Sequence, residues 1–214
     1  MSENTQRIRL ADAEFLAEAH VAGLLGTDED AIRRYWKVGP DDVCLDIGFG
    51  PGTWTLVALA KGARTISFDP KPEAVRILMN QVMLNGFTRA VVLPFGLWEF
   101  SGDIPFGVNS FKEDNMKDRR RVVRLDDVMA WLRPPHLDFV NMDAEWAERE
   151  IVRGARATIS GYRPTLIIEL HDEAYRAEII KDITACGGEY VFERDKGFLI
   201  AAPKGRIGYV GLIP

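Results

Sequence analysis

Residues 43–60 read VCLDIGFGPGTWTLVALA. A short apolar run with Asp46 near its end passes into three glycines at alternate positions, Gly48, Gly50 and Gly52, and then into an apolar helical pattern. An apolar run of this length bounded by glycines reads as a buried strand, and a strand that turns at once into a helix begins a βαβ unit. In an open parallel sheet that turn lies at the carboxyl edge, where ligands bind. Glycines there permit the sharp turn and let a ligand approach the backbone closely. The next strand predicted, 64–69, ends in Ser67-Phe68-Asp69-Pro70. Asp69 follows Asp46 by 23 positions, close to the spacing of about 20 residues expected of an acid that grips ribose hydroxyls.

The same rhythm recurs along the chain. Residues 12–25 and 28–38 read as two N-terminal helices, the second with Asp28 or Asp30 as its cap. Strands are predicted at 43–47, 64–69, 90–94, 137–142 and 164–170, with helices at 53–61, 71–85, 127–132, 144–159 and 173–186. Residues 189–193 and 197–202 read as a final antiparallel pair. Apolar strands alternating with amphipathic helices imply an α/β fold, a mostly parallel sheet with helices on both faces. Residues 101–124 break the rhythm and read as an excursion, a small hairpin or a lid. The expected organisation is therefore N-terminal helices over 1–38 capping an acceptor pocket, one ligand-binding domain over 39–204, and a tail over 205–214.

At 214 residues the chain holds one full α/β core. Its net charge of −5 argues against a general nucleic-acid binder. No apolar stretch is long enough to span a bilayer, and the polar N-terminus MSENTQRIRLADAEF does not read as a signal peptide. The expected compartment is the cytoplasm. The two cysteines, Cys44 and Cys186, lack metal-type spacing and read as free thiols.

Two cofactor classes fit a glycine turn followed by a ribose acid. A dinucleotide fingerprint, G-x-G-x-x-G, needs a final glycine where this chain has Thr53, and a dehydrogenase would need a further substrate domain. D-x-G-x-G-x-G is instead similar to the pattern of S-adenosylmethionine-dependent methyltransferases. That cofactor has no pyrophosphate to cradle, and its cationic amino-acid tail suits a carboxylate such as Asp46. A glycine turn that binds nothing is the remaining reading.

Five stretches carry a more specific likeness: VCLDIGFGPGTWTLVALAKGA, ISFDPKPEAVRILMNQVMLNG, VVRLDDV, LDFVNMDAEWAEREIVRGA and PTLIIELH. In order and spacing, over roughly residues 40–175, the chain resembles the FkbM-type methyltransferases, a branch of the class I enzymes. The resemblance implies a Rossmann-like domain with a seven-stranded sheet, S-adenosylmethionine as cofactor, and O-methylation of a hydroxyl on a sugar, glycan or other natural product. It implies cofactor contacts from Asp46, Gly48, Phe49, Gly50, Gly52, Phe68, Asp69, Pro70, Phe95, Gly96 and Asp143, with Phe68, Phe95 or Leu97 walling the adenine. The family's usual IDVEGAE reads here Met142-Asp143-Ala144-Glu145-Trp146-Ala147-Glu148, so Trp146 stands where a glycine is usual.

Methyl transfer to a hydroxyl needs positioning and a base or a metal. Asp143 and Glu145 follow the fourth parallel strand, and Glu169 and His171 end the fifth. His171 is the first candidate for the base, because a free imidazole titrates near neutral pH, and Asp143 would orient it or touch the cofactor. His171 and Asp172 also fit a plain helix start, Asp172 as cap. Asp143 and Glu169 could together hold magnesium, a use of hard oxygen ligands that is open but not favoured. Glu145 and Glu148 fit the first turn of a helix, Asp126 a helix cap, and Asn85-Gly86 a helix end. The basic run 117–121 reads as a solvated loop, or as a site for a phosphate on the acceptor.

Two other classes of function compete. A base methyltransferase acting on nucleic acid would carry Asp/Asn-Pro-Pro-aromatic after the fourth strand, whereas this chain has Asn141-Met142-Asp143-Ala144. A non-catalytic partner subunit that binds S-adenosylmethionine draws its support from Trp146.

Overall fold

The computed structural model describes residues 4–107 and 118–205. Its centre is a seven-stranded sheet. Strands β3 (Val43–Ile47), β4 (Arg64–Phe68), β5 (Ala90–Leu93), β9 (Phe139–Met142) and β10 (Thr165–Glu169) run parallel, and β12 (Phe198–Pro203) lies antiparallel between β10 and β11 (Tyr190–Asp195). The order is β11-β12-β10-β9-β3-β4-β5. Strand order reverses between β3 and β9, so the crevice of this doubly wound sheet opens at their carboxyl ends. The expected Rossmann-like architecture is present, antiparallel edge included.

Side chains alternate across the sheet as the two-residue strand period requires. Val43, Leu45 and Ile47 point into one core, with α5 (Leu125–Leu132), α6 (Glu148–Arg153), α7 (Arg156–Tyr162) and α8 (Arg176–Ala185) over it. Cys44, Phe139 and Ile167 point into the other, beneath α2 (Glu29–Tyr35), α3 (Thr53–Ala60) and α4 (Pro72–Leu84). Both cysteines are buried free thiols. Among the described residues no helix is long and apolar enough to cross a membrane.

The N-terminus departs from expectation. Instead of a helix over 12–25, β1 (Thr5–Leu10) and β2 (Ala13–Glu18) form an antiparallel hairpin, followed by one helical turn, α1 (Ala19–Ala22). Ala11 and Asp12 both take positive φ, 48° and 65°, as a tight two-residue hairpin loop requires. Ala13, Phe15 and Ala17 are buried while Glu14 is exposed, which is strand alternation. The free edge of β2 is met by side chains of α4 and of Asn85, the residue that ends it. Asn85 accepts from Leu16 N (2.7 Å) and donates to Leu16 O (2.8 Å), and Gln81 accepts from Glu18 N (3.0 Å). These two amides stand in for a neighbouring strand.

Three further corrections concern local elements. The helix expected over 144–159 is a loop followed by α6 and α7, because Glu145 and Trp146 hold positive φ, 48° and 81°. Asp28 does not cap α2 through its side chain; it accepts from Trp54 Nε1 at 3.2 Å. Asp126 caps a helix other than the one it begins. Its carboxylate takes the N–H groups of Ala157 (3.0 Å) and Thr158 (2.8 Å) in the first turn of α7.

The excursion is a three-stranded sheet in which β8 (Asp118–Val123) pairs with β6 (Gly96–Leu97) and β7 (Gly102–Phe106). Residues 108–117, which include part of the expected lid and Lys117 of the basic run, fall outside the described residues. Arg120 and Arg121 pair with Asp118 and Asp103 of the same hairpin. Of the expected tail only Gly205 is described.

Candidate active site

A cleft of about 240 Å³ opens at the strand-order reversal. Its floor is the contact between the β3–α3 turn and the segment after β9. Gly48 N donates to Phe68 O at 2.8 Å, and Asp143 N donates to Ile47 O at 2.9 Å. Gly48 has φ of 77°, and a Cβ there would stand 1.7 Å from Asp143 O. Only glycine fits that approach. A Cβ on Gly50 would meet nothing within 4 Å, so its backbone faces open space in the cleft.

Asp69, at the end of β4, lines the cleft and is buried. Its carboxylate accepts from Gly50 N at 3.2 Å and from Lys71 N at 2.8 Å. One bond per oxygen leaves acceptor capacity on both. Burial raises its pKa. Phe68, Leu97, Phe106 and Ile151 supply an apolar wall beside it. Gly48, Gly50, Phe68, Asp69, Pro70, Gly96 and Asp143 thus line one cleft, as expected.

Four expected cofactor residues do not. Asp46 is fully buried, and its oxygens are taken by Thr55 N (2.9 Å), Thr55 Oγ1 (2.6 Å) and Asn141 Nδ2 (2.9 Å). It braces the start of α3 against β9. Phe49 turns into the core under α3. Gly52 begins α3 at φ of 93°, where a Cβ would strike Leu78. Phe95 packs on Phe68 with ring centres 5.9 Å apart, one layer behind the wall. Asn85 holds the N-terminal hairpin and has no place in the cleft. No residue of 1–38 lines the cleft either.

At the cleft mouth the ends of β9 and β10 bring acids around one imidazole. His171 Nδ1 lies 3.0 Å from Glu148 Oε1. Glu148 is buried, and the same oxygen accepts from Ala144 N (3.1 Å) and Trp146 N (3.2 Å). His171 Nε2 faces Glu145 Oε2 at 3.4 Å and Asp143 Oδ1 at 3.6 Å. Glu169 ends β10, its charge bears on Asp143, and Asp28 adds its repulsion to both acids. All four expected catalytic residues, His171, Asp143, Glu145 and Glu169, are therefore brought together.

Glu148 was read from sequence as helix chemistry, and it is the group that sets the state of His171. Its hydrogen bond, ahead of every other influence, raises the imidazole to about 9. At neutral pH the ring carries its proton, so the argument from a free imidazole does not apply. Asp143 is pushed up by burial and by the charge of Glu169. The spacing Glu145-x-x-Glu148 was the available signal, and it pointed equally well to a helix start.

Trp146 is 39% exposed, with its ring centre 6.2 Å from that of His171. A φ of 81° strains any residue but glycine. This explains why a glycine is usual there, and it leaves an indole at the mouth of the cleft.

Likeness to known proteins agrees with this geometry. Residues 46–198 match the model of the Methyltransferase FkbM domain. The crystal structure of an FkbM methyltransferase from Methylobacillus flagellatus KT is similar at TM-score 0.61 and 21% identity, over 76% of this chain and 44% of that one. The chain thus spans less than half the length of that relative. A precorrin-6y C5,15-methyltransferase from Geobacter metallireducens GS-15 gives TM-score 0.49 at 12% identity, over 78% of this chain and 83% of that one. No curated protein matches.

Proposed function

Because the chain belongs to the FkbM methyltransferase family, we propose that it moves a methyl group from S-adenosylmethionine to a hydroxyl of a sugar, glycan or other natural product. The observation that carries the cofactor assignment is Asp69, a buried carboxylate with one bond per oxygen, beside the open backbone of Gly50. Asp69 would hold the ribose hydroxyls, Gly48 and Gly50 the chain between ribose and methionine, and Phe68, Leu97 and Ile151 the adenine. When bound, the cofactor supplies an electrophilic methyl on a sulfonium, which is already a good leaving group.

The protein's part is then to orient the acceptor and accept one proton. Asp143 and Glu145 present carboxylate oxygens at the mouth of the cleft. A hydroxyl donating to them is aimed toward the glycine turn. Asp143, whose hold on a proton is raised by burial and by the charge of Glu169, takes the proton. His171, fixed by Glu148, holds both acids in place. A hydroxyl is favoured over an exocyclic amine because Asn141, whose carbonyl would have to accept from such an amine, is buried and does not line the cleft.

The test uses S-adenosylmethionine with an isotopically labelled methyl and acceptors that differ only in bearing a hydroxyl or an amine. Label on oxygen is expected, at a rate that falls at least tenfold in Asp143→Asn. Label on nitrogen alone, or an unchanged rate in the variant, would overturn the assignment.

A further inference from the structure

Asp143, Glu145 and His171 each bring a ligand atom to the cleft mouth, the three within 4.8 Å of one another, and His171 Nε2 lies 3.6 Å from Asp143 Oδ1 and 3.4 Å from Glu145 Oε2. The far nitrogen of the imidazole is committed. Nδ1 meets Glu148 Oε1, an oxygen that already accepts two backbone N–H groups and sits on a side chain only 4% exposed. Nδ1 must therefore be the donor, which leaves the Nε2 position directed at the two carboxylates, where a bound cation would take the place of the Nε2 proton. A histidine whose second nitrogen is locked by a buried carboxylate is the arrangement in which imidazoles bind metal ions.

Two observations show that the cluster is short of positive charge even with His171 protonated beside Asp143 and Glu145. Asp143 Oδ1, the oxygen facing Nε2, is buried and accepts no hydrogen bond. A buried carboxylate oxygen without a donor is rare in proteins and calls for a ligand. The surrounding charge is also one-sided. Asp28 and Glu169 add to Asp143 and Glu145, and among the described residues no lysine or arginine forms an ion pair with Asp143, Glu145 or Glu169.

We propose that Asp143 Oδ1, Glu145 Oε2 and His171 Nε2 bind one divalent cation of the magnesium or manganese class. Two carboxylates and a single imidazole form an oxygen-rich set that suits these ions. The ligands come from two neighbouring strand ends and leave the cleft side of the ion uncovered. Where the methyltransferase reading holds, those open positions would take oxygens of the acceptor. Glu169, which the sequence leaves open as a ligand alongside Asp143 without favouring it, is not one of the three, and its charge adds to theirs.

The test is titration of the metal-stripped full chain with manganese(II), followed by calorimetry and by the electron paramagnetic resonance of the free ion. One manganese per chain is expected, with affinity at least tenfold weaker in Glu145→Gln and in His171→Ala, circular dichroism confirming that both variants fold. The titration is repeated at saturating S-adenosylhomocysteine, where the ion should remain bound. No binding at millimolar manganese, binding indifferent to Glu145→Gln, or displacement of the ion by the nucleoside would each overturn the proposal. Displacement would mean that the cofactor's own ammonium group is the cation these acids serve. Nucleoside binding by the wild-type chain, measured alongside, reports separately on the methyltransferase reading.

Discussion

Asp46 illustrates how a residue's chemistry depends on which way it faces. Beside a glycine turn its carboxylate looks like a partner for a cationic ligand, yet it lies on the side of β3 that faces α3, where Thr55 and Asn141 surround it. Burial without a cation pushes its pKa up to about 6. The folded protein therefore holds this proton more tightly than the unfolded chain, whose aspartates titrate near 4. The stabilisation is complete below about pH 4 and is lost as pH rises to about 6, a change of about 3 kcal/mol. Asp46→Asn removes the charge and keeps the shape. Its new amide group can be received by Asn141 Oδ1, a buried oxygen with no partner, once that side chain flips. Urea unfolding should show the variant gaining about 2–3 kcal/mol on the wild type between pH 4 and pH 7. A difference that does not change with pH would contradict this account.

Among the elements, the N-terminal hairpin is the clearest case of tertiary structure overriding local pattern. Phe15, Leu16, Ala19 and Val21 fit a helical face as well as a strand. What decides is the pair of amides on α4 and at its end that complete the edge of β2, and no local pattern announces a partner 69 residues away. Asn85→Ala should cost about 1–3 kcal/mol, the scale for orphaning a buried backbone group, and should speed amide exchange selectively in β1 and β2. Uniform exchange throughout the chain would contradict the edge-mimic role. The parallel strands, by contrast, were legible because their apolar runs are short and bounded by turn residues, and the place of Gly48, Gly50 and Asp69 in one cleft was legible from a glycine turn followed at the usual spacing by an acid. Glu148 and Phe106 were not. The role of Glu148 depends on a loop held at positive φ by Glu145 and Trp146, and Phe106 reaches the cleft from a separate small sheet.

At the scale of the whole molecule, the order β11-β12-β10-β9-β3-β4-β5 explains why distant sequence segments meet. β3 and β9 are neighbours across the reversal, so the glycine turn and Asp143 form one floor. β10 lies next to β9, so His171 and Glu169 complete the acidic mouth. The cleft proposed for the cofactor and the cluster proposed for the acceptor thus share Asp143. The central claim is that Asp69 and the glycine turn form a nucleoside site. It is tested most directly by calorimetric titration of the wild type and Asp69→Ala with S-adenosylhomocysteine, with NAD in parallel. The account predicts micromolar binding of S-adenosylhomocysteine alone by the wild type, weakened about 10- to 100-fold in the variant. Absence of binding by the wild type, or equal affinity in the two proteins, would contradict it.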